Sequence, residues 1–151
     1  MNRIDAIQKI YNENEESFFI LSNGLTTRES VHHIPNRQSF YLLHAMGEAF
    51  SVGLGLAQTN KELKIVVIEG DGGALMGMSS WSMKDIENIK YYVLVNHTYQ
   101  TTGGQLIPNF PSIPNWVNLI KIENSKIQTP NPPHPGDIWD NFQKSIINFK
   151  V

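Results

Sequence analysis

The sequence predicts an α/β protein, a doubly wound and mainly parallel sheet with helices on both faces. Three observations carry this. The stretches "SFFILS" (17–22), "KIVVIEG" (64–70) and "YYVLVN" (91–96) are continuous apolar runs, the pattern of strands buried on both faces. Helix-length segments separate them, as a parallel sheet with crossover connections requires. Glycine-rich turns come after the strands, where such sheets gather their ligands. A chain of 151 residues is long enough for one domain with a real core.

Taken in order, Ile4, Ile7, Ile10 and Tyr11 fall at helical spacing, so residues 3–14 read as an amphipathic helix. Residues 17–22 form the first strand, "NGLTTRES" (23–30) a Gly/Thr/Ser turn, and "SFYLLH" (39–44) a second strand. "MGEAFSVGLGLAQ" (46–58) reads as a helix. Its Gly53 and Gly55 cost helix propensity and fit a helix packed closely on a sheet. "KIVVIEG" is the clearest strand. "ALMGMSSWSMKDIENI" (74–89) is the next crossover helix, with the "KDIENIK" charges as its solvated face, and "YYVLVN" is another strand. "TTGGQLIPNFPSIPN" (101–115) is a long Gly/Pro-rich loop. "WVNLIKIE" (116–123) suits a strand or a short helix, with strand favoured. "TPNPPHPG" (129–136) is a connector without helix, and "DIWDNFQKSIINF" (137–149) is a helix with Asp137 at its N-cap.

Composition excludes several classes. Hydrophobic residues make up 40% and charged residues 17%, with a net charge of -2, so no basic footprint for nucleic acid or an acidic membrane is present. No apolar run approaches the length of a membrane span, and the polar start "MNRIDAIQKIYNENEESF" lacks the apolar core of a signal peptide. The absence of cysteine removes disulfides, iron–sulfur clusters and a thiol nucleophile. The expected location is the cytoplasm.

The chemistry concentrates in "NGLTTRES", "HAMGEA", "EGDGG" and "NHTYQTTGGQ". Glycines let a backbone approach a phosphate, and a helix start supplies free N–H groups. Asp71 would repel a diphosphate unless a divalent cation bridges them. Mg²⁺ prefers oxygen ligands, commonly phosphates with one or two protein oxygens. Asn96, ending the next strand, offers an amide oxygen at the same sheet edge, and a carbonyl of the "HTY" turn a third oxygen. Alone, Asp71 in Asp-Gly also suits an ordinary turn, Asn96 a strand-end cap and Met46 core filling.

In combination these segments resemble thiamine diphosphate (ThDP) enzymes. "GDG" at 70–72, followed by a helix, a strand and Asn96, is similar to the ThDP signature. "FYLLHAMGEAFSVGLGLA" (40–57) looks like the segment that precedes it, which often holds Gly-x-Met-Gly. "NHTYQTTGGQ" resembles the Gly-Gly-Gln loop of phosphonopyruvate and sulfopyruvate decarboxylases, and "NGLTTRES" their Thr/Ser-Ser-Arg-Glu turn. The resemblance covers roughly residues 1–106.

It implies a diphosphate-binding domain spanning residues 1–151. Asp71 and Asn96 would bind Mg²⁺ through side chains and Thr98 through its carbonyl. Gly70 opens the turn, and Gly72, Gly73 and Ala74 would offer N–H groups to the diphosphate, with Tyr99 and Thr27 as further donors. Met46 would sit under the cofactor and hold its bent shape. The carbonyl of His44 would accept from the 4′-amino group, at a position where the family often has Gly. The implied reaction is decarboxylation of a 2-oxo acid by the cofactor's thiazolium ring.

The resemblance also implies a partner. Nothing in the chain resembles the pyrimidine-binding domain, whose glutamate activates the cofactor, and neither Glu48 nor Glu69 matches that role. A separate pyrimidine-domain chain is therefore expected, in a hetero-oligomer, with a homo-oligomer of this chain possible when it is alone. The substrate class would be a small anionic 2-oxo acid. Alternatives are a non-catalytic ThDP-binding module and a subunit of an acetolactate synthase-like carboligase. Arg28 suits either an anionic substrate or a structural ion pair. His97 suits a proton relay, and His32-His33 most simply a solvated pair. Trp81 and Trp116 are core or interface aromatics.

Overall fold

Side chains alternate across the plane of five neighbouring strands and divide the core into two layers. Phe18, Ile20, Ile65, Val67, Tyr91 and Val93 face one layer, and Phe19, Leu21, Val66, Ile68 and Leu94 face the other. A strand with apolar residues on both faces must be covered on both, which is why these runs are unbroken. The computed structural model describes residues 1–36, 38–124 and 129–148.

The strands of the main sheet are β1 (Phe18–Leu21), β2 (Ser39–Tyr41), β3 (Ile65–Gly70), β4 (Ile89–Val95) and β7 (Val117–Lys121). Their order is β2-β1-β3-β4-β7, and each pairing is parallel. A small antiparallel pair, β5 (Thr98–Tyr99) and β6 (Gln105–Leu106), stands apart. The doubly wound parallel sheet is thus present. From β1 the chain moves outward to β2, and from β3 it moves the other way to β4. The switch point lies between the C-terminal ends of β1 and β3, where a crevice opens.

Helix α1 (Arg3–Glu13) buries Ala6, Ile7, Ile10 and Tyr11 in the second layer. Asn2 caps it by accepting the Asp5 N–H at 2.8 Å. Helix α3 (Ala49–Thr59) lies on the first layer. Its Gly53 touches the sheet so closely that a Cβ there would stand 2.3 Å from Val67 Cγ2, whereas Gly55 faces open space. Close packing thus accounts for Gly53 and not for Gly55.

Several expected elements differ. "NGLTTRES" is a turn only at Asn23–Gly24; from Leu25 it is helix α2 (Leu25–His33). Hydroxyl-rich sequence disguised it, because Thr26, Thr27 and Ser30 are buried there rather than solvated. The second strand ends at Tyr41 instead of residue 44.

The crossover helix expected at 74–89 is instead a short helix α4 (Asp71–Met76) and a 3₁₀ turn (Met78–Met83), followed by a non-helical stretch. Gly77 is the break. A Cβ on it would stand 2.1 Å from the carbonyl oxygen of Gly47, so another backbone passes where the helix would continue. The "KDIENIK" charges Lys84, Asp85 and Glu87 therefore lie on a loop that leads into β4, and Lys90 lies in β4 itself.

The loop at 101–115 contains β6, and "WVNLIKIE" contains strand β7. Helix α5 (Pro135–Asn148) starts before Asp137, which lies in its first turn and is not its cap. His134 takes that place, its Nδ1 accepting the Gly136 N–H at 3.2 Å. Residue 149 lies outside the described residues. Phe142 docks α5 on Phe18 and Phe40, with ring centroids 5.6 and 4.8 Å away. Trp81, Tyr91, Phe50 and Trp116 form an aromatic cluster in the first layer, as expected of the two tryptophans.

Candidate functional site

The crevice at the switch point is lined by the segments at the ends of three strands: Ser22, Asn23, Gly24, Leu25 and Thr26 after β1, Gly70–Gly73 at the end of β3, and Asn96 and Thr98–Thr101 after β4. Met46, Arg3, Leu94 and Ile122 also line its walls. Parallel strands bring these distant stretches to one edge, because each strand ends on the same side of the sheet.

Asp71 is buried, and its carboxylate joins two strand ends. Oδ2 accepts the N–H groups of Asn96 at 3.0 Å and His97 at 2.7 Å, and Oδ1 accepts from Gly72 N at 3.0 Å. His97 adopts a left-handed backbone with φ +59° that turns the chain into β5. Asn96 Nδ2 donates to Asn124 Oδ1 at 2.7 Å, while its Oδ1 accepts the Thr98 N–H at 3.3 Å and also faces two acceptors. These are Asp71 Oδ1 and the Thr98 carbonyl oxygen, each 3.1 Å away. Oxygens so disposed repel one another. Either the amide turns over and donates to both, or a cation sits among the three. A carboxylate, an amide oxygen and a carbonyl form the hard-oxygen set that Mg²⁺ takes alongside phosphate. The donor set therefore fits a divalent cation.

Beside it the backbone is laid bare. A Cβ on Gly72 would stand 2.5 Å from the Tyr99 ring, and one on Gly73 would stand 2.6 Å from Glu69 Oε1. Only glycine lets α4 begin between these side chains. Gly47, at φ +85°, needs glycine for its conformation and for its approach to Met76 and Gly77.

The expected residues fall into two groups. Met46, Gly70, Asp71, Gly72, Gly73, Asn96, Thr98 and Tyr99 line the crevice together. Ala74 is fully buried behind it and His44 is exposed beside it. His44 has φ +56°, the left-handed conformation that glycine adopts most readily. Thr27 does not reach the crevice. It is fully buried, and its hydroxyl donates to the Ser22 carbonyl oxygen at 2.8 Å, so it braces the turn and is not free to donate to a diphosphate. Thr26 lines the crevice in its stead. Among the described residues Arg28 makes no ion pair; it donates to the carbonyls of Thr129 and Pro130. His32 Nε2 lies 3.2 Å from the Asn131 carbonyl oxygen.

Three participants escaped the sequence. Arg3, only 5% exposed, pairs with Glu29 at 3.1 Å and donates to Gln100 Oε1 at 2.9 Å, tying α1 to α2 and to the loop after β5. Asn124 supports Asn96 and Thr98 from beyond β7. Glu69 is fully buried under the crevice and accepts from Tyr91 Oη at 2.7 Å. Burial pushes its carboxyl up to about 7, opposed by the Tyr91 hydroxyl and the Gly47 and Ala49 amides, with Glu48 adding a smaller upward push. Burial, and then the Glu69 charge, hold the Tyr91 hydroxyl well above its ordinary range. An acidic residue before Gly-Asp-Gly was the available signal for Glu69. Nothing in the sequence marks Arg3 or Asn124.

A model of the C-terminal TPP-binding domain of thiamine pyrophosphate enzymes matches residues 22–125. The chain belongs to this family. Thiamine pyrophosphate is another name for ThDP. The TPP-binding domain is also similar to sulfopyruvate decarboxylase subunit beta of Methanocaldococcus jannaschii, 43% identical over 68% of this chain and 56% of that protein. The Methanothermobacter thermautotrophicus subunit beta is 36% identical over 70% of this chain and 58% of its own length. Phosphonopyruvate decarboxylase of Streptomyces hygroscopicus is 34% identical over 68% of this chain and 26% of that enzyme. The chain thus spans little more than half the length of the beta subunits it matches. Among the described residues no helix is long and apolar enough to cross a membrane.

Proposed function

We propose that this TPP-binding domain, residues 1–151, is the diphosphate-binding subunit of a two-subunit, ThDP-dependent 2-oxo acid decarboxylase of the phosphonopyruvate/sulfopyruvate type. The observation that carries the proposal is the convergence of Asp71 Oδ1, Asn96 Oδ1 and the Thr98 carbonyl beside the Gly72–Gly73 backbone. Asp71, Asn96 and Thr98 would hold Mg²⁺. The Gly72 and Gly73 amides, and Ala74 behind them, would face the diphosphate, with Tyr99 over Gly72. Met46 and the His44 carbonyl would face the rest of the cofactor. When bound, ThDP supplies the nucleophilic carbon that attacks the keto group and the ring that takes up the electrons left when CO₂ departs. Asp71 would add a negative charge toward the metal, and by joining two strand ends it holds Asn96 and Thr98 beside the glycines.

The activating glutamate would come from a pyrimidine-domain partner, in keeping with the beta-subunit names of two relatives. A small anionic 2-oxo acid is the substrate class, and the cytoplasm the proposed location. A second reading, a ThDP-binding module without turnover, is favoured by the segment after residue 125, which lies outside the family match.

The test is a tagged pull-down from the native cell, with assay of the complex for ThDP, Mg²⁺ and CO₂ release from sulfopyruvate and phosphonopyruvate. A pyrimidine-domain partner with bound cofactor and turnover establishes the enzyme. Cofactor without turnover leaves the module, and no ThDP on the complex rejects both.

A further inference from the structure

Arg3 and Glu29 form a buried ion pair that is shared with a third residue. Glu29 is fully buried in α2, and Arg3 opens α1 with 5% exposure. A guanidinium can grip both oxygens of one carboxylate. Here it divides its two ends instead. Nη1 donates to Glu29 Oε1 at 3.1 Å and Nη2 donates to Gln100 Oε1 at 2.9 Å. Among the described residues Glu29 Oε2 is left without a hydrogen-bond partner. A buried pair offsets its desolvation only with good geometry, so a pair kept for stability alone would close on itself. The reach to Gln100 accounts for the open geometry.

Gln100 lies where that reach has consequences. It lines the crevice and directly follows Thr98 and Tyr99. Asp71 holds the entry to this loop at the Asn96 and His97 amides. Asn124 Oδ1 accepts the Thr98 hydroxyl at 3.0 Å, and Arg3 holds Gln100. Beyond Gln100 the loop closes on itself. The Thr102 and Gly104 N–H groups both donate to the Tyr99 carbonyl, and Gly103 and Gly104 have positive φ. The supports at Asn124 and Arg3 are themselves joined. The Glu123 N–H, one residue before Asn124, donates at 3.0 Å to the carbonyl of Met1, two residues before Arg3. The start of α1 and the end of β7 thus form one support for the loop.

We infer that Arg3, anchored by Glu29, is a positioning residue for the metal site: through Gln100 it holds the loop so that the Thr98 carbonyl stays close to Asn96 Oδ1 and Asp71, at the spacing that suits a small divalent cation. The inference rests on the ThDP reading of the crevice. Mg²⁺ demands near-ideal octahedral geometry at about 2.0–2.1 Å, whereas Ca²⁺ accepts flexible geometry at about 2.3–2.6 Å. A slack loop therefore penalises Mg²⁺ more than Ca²⁺. The preference between the two cations reads the positioning separately from overall stability.

The experiment uses the full 151-residue chain and titration calorimetry of ThDP with MgCl₂ or with CaCl₂. Gln100→Leu leaves the Arg3–Glu29 pair in place. Arg3→Lys keeps a charge beside Glu29 but loses the planar fork that serves both partners. Each is expected to lower the ratio of Mg²⁺-supported to Ca²⁺-supported affinity about threefold. The two together should lower it no further than one alone, because they cut the same tie. Gln100→Glu keeps an acceptor for Arg3, and its added charge acts on either cation alike, so it should retain the wild-type ratio. The two Gln100 variants carry the test if Arg3→Lys does not fold. Equal losses with both cations overturn the inference, because they mark a general structural role. So does an unchanged ratio in Gln100→Leu, or shifts that add in the double variant. A wild-type chain that binds ThDP with neither cation rejects the ThDP reading itself, a result distinct from those.

Discussion

The Asp71 carboxylate accepts the backbone N–H of His97 at 2.7 Å, across the ends of two neighbouring strands. The bond spans the residues proposed to hold a metal: Asn96 precedes His97 and Thr98 comes after it. One side chain thus both supplies a ligand and shapes the loop that carries the other two.

Asp71→Asn is expected to weaken ThDP binding by at least about tenfold, because a neutral amide replaces the charge facing the cation and one of its ends can no longer accept. Asp71→Ala should lose binding altogether. Calorimetry with ThDP and MgCl₂ checks both. An Asn variant that binds like the wild type removes Asp71 from the metal site.

Removal of the metal should act like removal of Asp71. With EDTA present, ThDP binding is expected to disappear, and excess MgCl₂ should restore it. Three oxygens converge around Asn96 Oδ1, and the Arg3 charge in the crevice wall is paired with Glu29, so a cation is needed to offset a diphosphate's charge. Undiminished binding in EDTA would show that the Asn96 amide is turned over and donating.

Glycine substitutions should separate by what each Cβ meets. Gly77→Ala places a methyl 2.1 Å from the Gly47 carbonyl oxygen, and Gly53→Ala one 2.3 Å from Val67. Each should cost about 1–3 kcal/mol or more, Gly77 the greater because backbone cannot rotate aside. Gly55→Ala, in open space on the same helix as Gly53, should stabilise by about 0.5–1 kcal/mol. Urea denaturation of the three variants tests the ranking.

Stability should depend on pH through Glu69. Its carboxyl is raised from 4.5 to about 7 in the folded chain, so the native state holds more protons than the unfolded state between those values. Stability is then greatest below the lower value, falls as pH rises, and levels off above the upper one. The total is on the order of 3 kcal/mol. Urea midpoints across that range check it, and Glu69→Gln should flatten this part of the profile. A steeper fall toward acid in the variant would contradict the assignment.

Arg3→Met should be strongly destabilising, by about 3–5 kcal/mol, since it strands the fully buried Glu29 carboxylate. Adding Glu29→Gln should recover part of the loss, because the charge is then gone. A double mutant no more stable than Arg3→Met alone would mean that Arg3 acts through Gln100 and not through Glu29.

Local pattern in the chain was enough to read the strands, their parallel arrangement and the residues at the centre of the crevice. Apolar runs mark strands buried on both faces, and a carboxylate between glycines at a strand end is uncommon enough to stand out. Asp71 and Asn96 were readable because each lies at a strand end, and parallel strands end together; Thr98 was singled out in the turn after them only through the resemblance to ThDP enzymes. Everything that depends on contacts between distant segments waited for the folded chain. Backbone from Gly47 stops α4 at Gly77, which no helical periodicity records. The buried hydroxyls of α2 look like turn residues until α1 covers them. Thr27 is spent on the Ser22 carbonyl, and its neighbour Thr26 reaches the crevice instead. Arg3, Glu69 and Asn124 come to the site from an N-terminal helix, from beneath the sheet edge and from beyond the last strand. Their places result from packing across the whole chain; apart from the acidic residue before Gly-Asp-Gly that hinted at Glu69, local sequence pattern carries no trace of contacts made at that range.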